Sequence, residues 1–323
     1  MFRFELSRGI WQPRCITSGM APRFTRFAAI LASAGALAIL FVFLVRPWYL
    51  NWGATEEERV RPLPGDAIIS TAGSQNTRAI TIAAPVDRVW PWLAQLGQDR
   101  GGFYSFDLVE NLVGCEMPTT DVLQPERQAW YPYERLWMYP PSKAGGIGFA
   151  TLRALEPGRA LGFGTRLVGT DLLAPEDGSW SFALEPRQNG TTRLLIRGRG
   201  EARRSWFGVA FDRTIFEPVH FVMERRMMIG LQELAETGTR SRRLNHVHVV
   251  LWTVVFAVFA TALARMLFGR GWRADLALTM AAALIFQLLT LRQPTLVLGV
   301  PLTALLVIWL WQRRRLSRSV SAA

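Results

Sequence analysis

The sequence predicts an α+β domain held to a membrane by apolar helices, and three observations carry this reading. Half of the 323 residues are hydrophobic and only 19% are charged, with the apolar residues gathered into long uncharged runs that belong in a bilayer. Between Pro47 and Thr239 the composition is instead that of a water-soluble domain, with 20 Lys and Arg against 23 Asp and Glu. Within that stretch a strand, two helices, several antiparallel strands and a long helix follow in order, the succession of an α+β fold.

The formal net charge of +12 raises the question of nucleic acid, and the placement of the charges answers it. The 17 basic residues outside the soluble stretch face only Glu5 and Asp275 and surround the hydrophobic runs. They flank a membrane and do not form a nucleic-acid face. Cys15 and Cys115 are too few and too far apart for a disulfide framework or a zinc site. The chain carries no CxxC, HExxH, P-loop or GxGxxG after a strand, so no metal and no cofactor is expected.

The first 26 residues form a basic segment, in which Met20 is an alternative start. A transmembrane helix is expected over 27–46, because Phe27 to Val45 is a 19-residue run broken only by Ser33 and flanked by Arg23, Arg26 and Arg46. That run is longer than the roughly 7–15 apolar residues of a signal peptide, and Trp48 and Tyr49 stand where an aromatic belt belongs. Residues 47–76 lack a strong apolar period and read as a linker before a domain over 77–238. Thr77 to Ile82 alternates as a strand, with Ala79 opposite the Ile80 and Ile82 face. Pro85 opens a helix through Gln95 with Val89, Trp90, Leu93 and Leu96 on one side, kinked at Pro91. Asp107 to Val113 is a second short helix whose Asp107 and Glu110 have the spacing of a capping box.

Four strands follow at Ile147–Leu155, Ala160–Leu167, Trp180–Leu184 and Thr192–Arg199. Turn dipeptides stand between them at Pro157-Gly158, Asp177-Gly178 and Asn189-Gly190. Trp180, Phe182 and Leu184 share one face of the third. From Phe211 to Glu236 a long helix carries Phe216, Val219, His220, Met223, Met227, Leu231 and Leu234 on one stripe; Pro218 either kinks it or marks its first turn. Further spans are expected at 247–268, with Arg265 snorkelling, at 275–291 and at 294–312, before a basic tail over 313–323. With the N-terminus inside, 12 arginines nearest the spans fall on the inner side and five on the outer. Positive-inside therefore places the multi-pass chain in the cell membrane with its soluble domain on the outer side, although Arg240, Arg242 and Arg243 argue the other way.

Several stretches resemble one family: AITIAAPVDRVWPWL (79–93), GGFYSFDLVENLVG (101–114), LEPGRAL (155–161), SWSFAL (179–184), TTRLLIR (191–197) and FEPVHFVMERRMMI (216–229). Together they are similar to the SRPBCC superfamily of START-like and polyketide cyclase/dehydrase-like proteins. The resemblance implies a helix-grip fold, a curved antiparallel sheet around a long C-terminal helix, with a cavity for a lipid or other apolar small molecule between them. It covers most of the soluble domain and none of the last three spans.

The candidate ligand-binding residues are then Trp180, Phe182 and Leu184 on the sheet, and Phe216, His220, Met223 and Met227 on the helix. Each of these side chains also suits plain core packing. His220 is the one histidine between Pro47 and Thr239 and thus the candidate for acid/base catalysis. Glu217 and Glu224, at i−3 and i+4, equally suit it to a structural hydrogen bond. The leading reading is a membrane-tethered module that binds or transfers a hydrophobic small molecule or lipid. The alternatives are a cyclase/dehydratase-like enzyme on a polyketide- or lipid-like substrate, and a membrane interaction protein with a filled core.

Overall fold

The computed structural model describes residues 21–118, 120–143, 148–166, 176–201, 205–269 and 271–322. Cys15, Met20 and the ends of two expected strands, at Ile147 and Leu167, lie outside the described residues. The first membrane helix is continuous from α1 (Ala21–Leu40) through a π turn (Phe41–Val45) to α2 (Arg46–Leu50). The π turn has a local cause: Pro47 has no N–H to donate and its ring crowds the carbonyl four residues back, so a wider turn relieves the ladder. The same relation recurs at Asp212–Phe216 before Pro218 and at Leu288–Arg292 before Pro294. Pro218 stands in the first turn of the α-helix that begins at Glu217, continuous with the π turn before it.

The expected linker is an ordered strap. Thr55 caps α3 (Glu56–Val60) with a full capping box to Glu58, and a short 3₁₀ turn follows at Asp66–Ile69. Glu58 then pairs with Arg193 at 2.8 Å and Asp66 with Arg197 at 2.7 Å, while Leu63 is buried with Ala79, Ala183 and Leu195. Gly65 has φ +90°, and a Cβ there would collide with the Ser181 hydroxyl. The strap shows no apolar period because arginines of the sheet's outer face, and few apolar contacts, hold it down.

The sheet comprises β1 (Ser74–Ile82), β2 (Arg135–Trp137), β3 (Phe149–Glu156), β4 (Ala160–Thr165), β5 (Gly178–Pro186) and β6 (Thr192–Gly200), with α4 (Val86–Ala94) and α5 (Asp107–Leu112) between β1 and β2. Its order is β1-β6-β5-β4-β3-β2, antiparallel throughout, with a register irregularity between Leu152 and Ala154 of the kind that bends a strand. Three-residue β2 is too short to show a period, which is why it was not expected. In α4 the buried aromatic is Trp92, not Trp90. Nor does Asp107 cap α5: Phe106 holds the cap position without a side-chain bond, and Asp107, the first helical residue, pairs with Arg240 at 3.1 Å.

After β6, α6 (Trp206–Phe211) leads through the π turn into α7 (Glu217–Thr237). α7 packs on the inner face of the sheet: Met227, Met228, Leu231 and Leu234 share one core with Phe163, Phe182, Leu184, Leu194 and Ile196. Gly230 lets α7 approach Tyr104, whose carbonyl a Cβ would strike. Sheet, helices and order together make a helix-grip domain of the α+β class.

Three more long helices follow: α8 (Arg242–Phe268), α9 (Trp272–Gln287) and α10 (Leu296–Ala322). Among the described residues four helices are long and apolar enough to cross a membrane, over Phe24–Leu50, Arg242–Phe268, Trp272–Arg292 and Leu296–Arg315. α10 runs on through the basic segment expected as a tail, since Arg and Leu are good helix formers and nothing there stops it. Arg265 does not snorkel freely but lies 3.3 Å from buried Asp275, which also faces Arg313 at 3.5 Å.

Domain and membrane helices meet in a second apolar cluster. Tyr49 from α2, Phe106, Phe221 and Val222 from the domain, and Leu291 from the α9–α10 turn are all buried there, with Trp252 of α8 packed against them. Polar bonds fix the same junction: Asn245 Nδ2 donates to the Ser105 carbonyl at 3.2 Å and Trp252 Nε1 to the Leu289 carbonyl at 3.1 Å. The C-terminal end of α2, the N-terminal end of α8 and the α9–α10 turn thus lie on the domain's side.

Candidate functional site

The site grows from one strand and one helix. In β1, Arg78 shares the inward face with Ile80 and Ile82, and in α7, Glu224 lies one turn beyond His220 on the sheet-facing side. Arg78 Nη1 donates to Glu224 Oε1 at 2.5 Å, with both side chains only 1% exposed. Arg78 Nε donates to the Tyr49 carbonyl at 2.9 Å, so the first membrane helix supplies part of the site. The other carboxylate oxygen, Oε2, accepts from Trp180 Nε1 at 2.7 Å and lies 3.8 Å from His220 Nδ1. A buried ion pair is tolerated only where its remaining polar atoms are met, and Trp180 and Tyr49 meet them.

Burial opposes ionisation of Glu224, but Arg78 outweighs it, helped by His220 and by the hydrogen bonds from Arg78 and Trp180, and the carboxyl stays below its ordinary range. Burial likewise pushes the His220 imidazole below its ordinary value, Glu224 pulling it up and Arg78 pushing it down. At neutral pH the group is a neutral imidazole beside an ionised carboxylate. One turn earlier Glu217 accepts from Arg46 Nε and Nη2 at 2.8 Å and from the Tyr49 hydroxyl at 3.0 Å. Glu217, His220 and Glu224 form a polar seam along α7.

The residues expected at a ligand site are only partly brought together. Trp180, Phe182, Leu184 and Met227 lie in the main core. His220 stacks on Phe216 at 5.5 Å and meets the Trp180 ring edge-on at 5.7 Å, so Phe216, His220 and Trp180 form a short aromatic column. Exposure falls along it, from 38% at Phe216 to 9% at Trp180. Met223 turns away: its side chain packs in the junction cluster and its carbonyl accepts from Ser105 Oγ at 2.7 Å. A helix turns by about 100° per residue, so a position three after His220 lies to one side of the line through 220, 224 and 227.

The sequence reading missed Arg78 and Tyr49 and took Glu224 only as a neighbour of His220. A signal was present in TRAITI, where an arginine stands on the apolar face of a strand. A second titratable group surrounds α5. Arg240 pairs with Asp107 at 3.1 Å and Asp121 at 2.7 Å, and burial, with Asp107 adding, pushes the Glu110 carboxyl up to about 8. Of these, Asp121 and Arg240 line an open basin of about 520 Å³ together with Ser241 to Leu244. Among the described residues no cluster of three His, Cys, Asp or Glu side chains is placed to hold a metal ion.

No family model and no curated protein matches the sequence. Solved structures similar to it include a protein from Mesorhizobium loti, at 18% identity over 49% of this chain and 96% of that one with a TM-score of 0.26. The Aha1 dimer from Colwellia psychrerythraea is 12% identical over 52% of this chain and 99% of its own, with a TM-score of 0.28. A Polyketide_cyc-like protein from Corynebacterium glutamicum is 16% identical over 54% and 94%, with a TM-score of 0.20.

Proposed function

We propose that the protein is a membrane-anchored helix-grip module that binds an apolar or amphiphilic small molecule at the Phe216–His220–Trp180 end of the helix–sheet interface. The observation that carries this reading is the placement of the ion pair. Arg78 and Glu224 are fully desolvated inside an otherwise apolar wall, an arrangement costly for a core that only has to be filled but apt for orienting a bound molecule by a few polar atoms. His220, largely buried but with 34% of its side chain still accessible, is the polar tip within reach of a ligand. The apolar column beside it takes the ligand's hydrocarbon part, with affinity from burial at roughly 25 cal/mol per Å². The tie of Glu217 to Arg46, at the end of the first apolar helix and one turn from His220, favours uptake of such a molecule from the adjacent bilayer.

The His220–Glu224 dyad also favours a second reading, acid/base turnover of a bound lipid- or polyketide-like substrate with neutral His220 as general base. Native mass spectrometry of the full chain tests binding: a retained apolar mass that Phe216→Ala and His220→Phe each release supports the site. A chain that carries no such mass when extracted gently, and acquires none from added fatty acids or sterols, rejects it. Turnover of a candidate substrate that His220→Ala abolishes without loss of binding supports the enzyme.

A further inference from the structure

Around Phe221, which also lies under Arg78 of the ion pair, the structure places two further arginines with no anion among the described residues. Arg292, at the end of the third membrane helix, lies 3.9 Å over the Trp48 ring, and Arg225 of α7 lies 4.9 Å over the Trp52 ring. Trp48 and Trp52 both meet Phe221 edge-on, at 5.5 and 6.3 Å. Arg225 Nε and Nη1 are buried without a hydrogen-bond partner, and neither guanidinium is ion-paired among the described residues. A desolvated, unpaired guanidinium is costly: burial, then Arg226 and Arg292, push Arg225 down to about 10. Arg226 is matched by Glu233 at 2.7 Å, which leaves Arg225 as the desolvated charge and Arg292 as an exposed one beside it, both without an anion among the described residues.

Below Arg292 runs a groove of about 250 Å³ between the first and third membrane helices. Leu40, Leu44 and Trp48 form one wall and Leu284, Leu288 and Leu291 the other, with Arg292 at the domain-side end. A slot that is apolar but for Gln287, with the Arg292 guanidinium at its domain-side end and Arg225 close enough to feel the charge of Arg292, has the polarity of an amphiphile with an anionic head.

We propose that this groove is a binding site for an anionic phospholipid of the domain-side leaflet, one acyl chain between Leu44 and Leu288 and the headgroup phosphate at Arg292 within reach of Arg225. The two arginines supply the charge-assisted bonds that a phosphate takes best. The lipid in turn ties α7 to the membrane helices, because Arg225 belongs to the domain and Arg292 to the bundle. This site is separate from the helix–sheet site and does not depend on it.

The test uses the full chain, stripped of lipid in detergent and titrated with phosphatidylglycerol, phosphatidylcholine and inorganic phosphate, with native mass spectrometry counting bound lipid. One phosphatidylglycerol should bind about tenfold more tightly than phosphatidylcholine, as expected for two arginines facing an anionic headgroup, and inorganic phosphate should not compete. Arg225→Gln with Arg292→Gln should erase the preference, and Leu44→Trp should weaken both lipids. His220→Phe should change neither, which separates this site from the helix–sheet one. Equal binding of the two lipids, an unchanged preference in the arginine variant, competition by phosphate alone, or a dimer mass in place of the lipid would each overturn the proposal. Arg225→Lys with Arg292→Lys, which keeps both charges, guards against loss of fold: recovery of the preference supports a charge-selective site, and its failure in a folded variant counts against one.

Discussion

Trp180 donates its indole Nε1 to Glu224 Oε2 at 2.7 Å across the helix–sheet interface. That bond ties β5 to α7 and leaves the carboxylate with both oxygens engaged, the other held by Arg78. The ion pair is therefore stable only as a complete set, and removing one member exposes the cost of the rest.

Glu224→Leu should destabilise the protein by about 3–5 kcal/mol, because it leaves the Arg78 guanidinium buried without its counter-charge. The pair Arg78→Met with Glu224→Leu should recover most of that loss. Melting temperatures of the four members of the cycle measure the coupling; additive effects of the two changes would show that the pair does not act as a unit.

The fold was legible because its local signals agree with one another. The Asn189-Gly190 turn forms, with the Asn189 side chain accepting from the Thr191 amide at 3.3 Å, and the stripe Met227, Leu231, Leu234 faces the core as its spacing requires. What escaped were features that depend on distant partners. Residues 47–76 look like a linker until Arg193 and Arg197 of β6 are set opposite Glu58 and Asp66. Asp107 and Glu110 carry the spacing of a capping box, yet Arg240, 133 residues away, takes Asp107. At the candidate site the aromatic members could be read from strand and helix periods, whereas the Arg78–Glu224 pair joins residues 146 positions apart, and no local pattern reports that.

Glu110 should make the protein more stable in mild acid. Burial raises its carboxyl from 4.5 to about 8, so between these values the folded state binds a proton that the unfolded state does not, and stability falls as pH rises through that window. Each pH unit there costs at most ~1.4 kcal/mol. Chemical denaturation of the wild type and Glu110→Gln at pH 5 and pH 8 isolates the contribution. Only the wild type should lose stability as pH rises from 5 to 8, so the difference should widen in favour of Glu110→Gln, and a difference that is flat with pH would place Glu110 in solvent.

The helix from Trp206 to Val219 should lie against lipid. Phe207, Phe211, Ile215 and Val219 repeat every fourth residue and are all exposed, as is Trp206, while Glu217 of the same helix is bound to Arg46 at the end of the first membrane helix. An apolar stripe leaving the domain at that level has the character of an interfacial helix. A spin label at Trp206→Cys, in a chain with Cys15 and Cys115 replaced by Ser, should collide with oxygen far more than with a water-soluble nickel chelate. Equal collision with both would put the stripe in water.

The domain should stand on the outer side of the membrane. The helices alternate so that the end of α2, the start of α8 and the α9–α10 turn meet the domain, which sends the Asp275–Arg265–Arg313 cluster and the arginines at 314 and 315 to the opposite side. That side carries the larger share of arginine near the spans and is the inner one by the positive-inside rule. The opposing cluster loses weight on inspection: Arg240 is buried against Asp107 and Asp121, and Arg242 lies 3.0 Å from Asp121, so the fold of the domain, and no lipid headgroup, accounts for their place. Glu57 is exposed on the strap and offers a probe away from every buried pair. In a chain with Cys15 and Cys115 replaced by Ser, Glu57→Cys should react with an impermeant maleimide on intact cells. Labelling only after the cells are broken would reverse the orientation and make an inner-leaflet lipid the one nearest to both proposed sites.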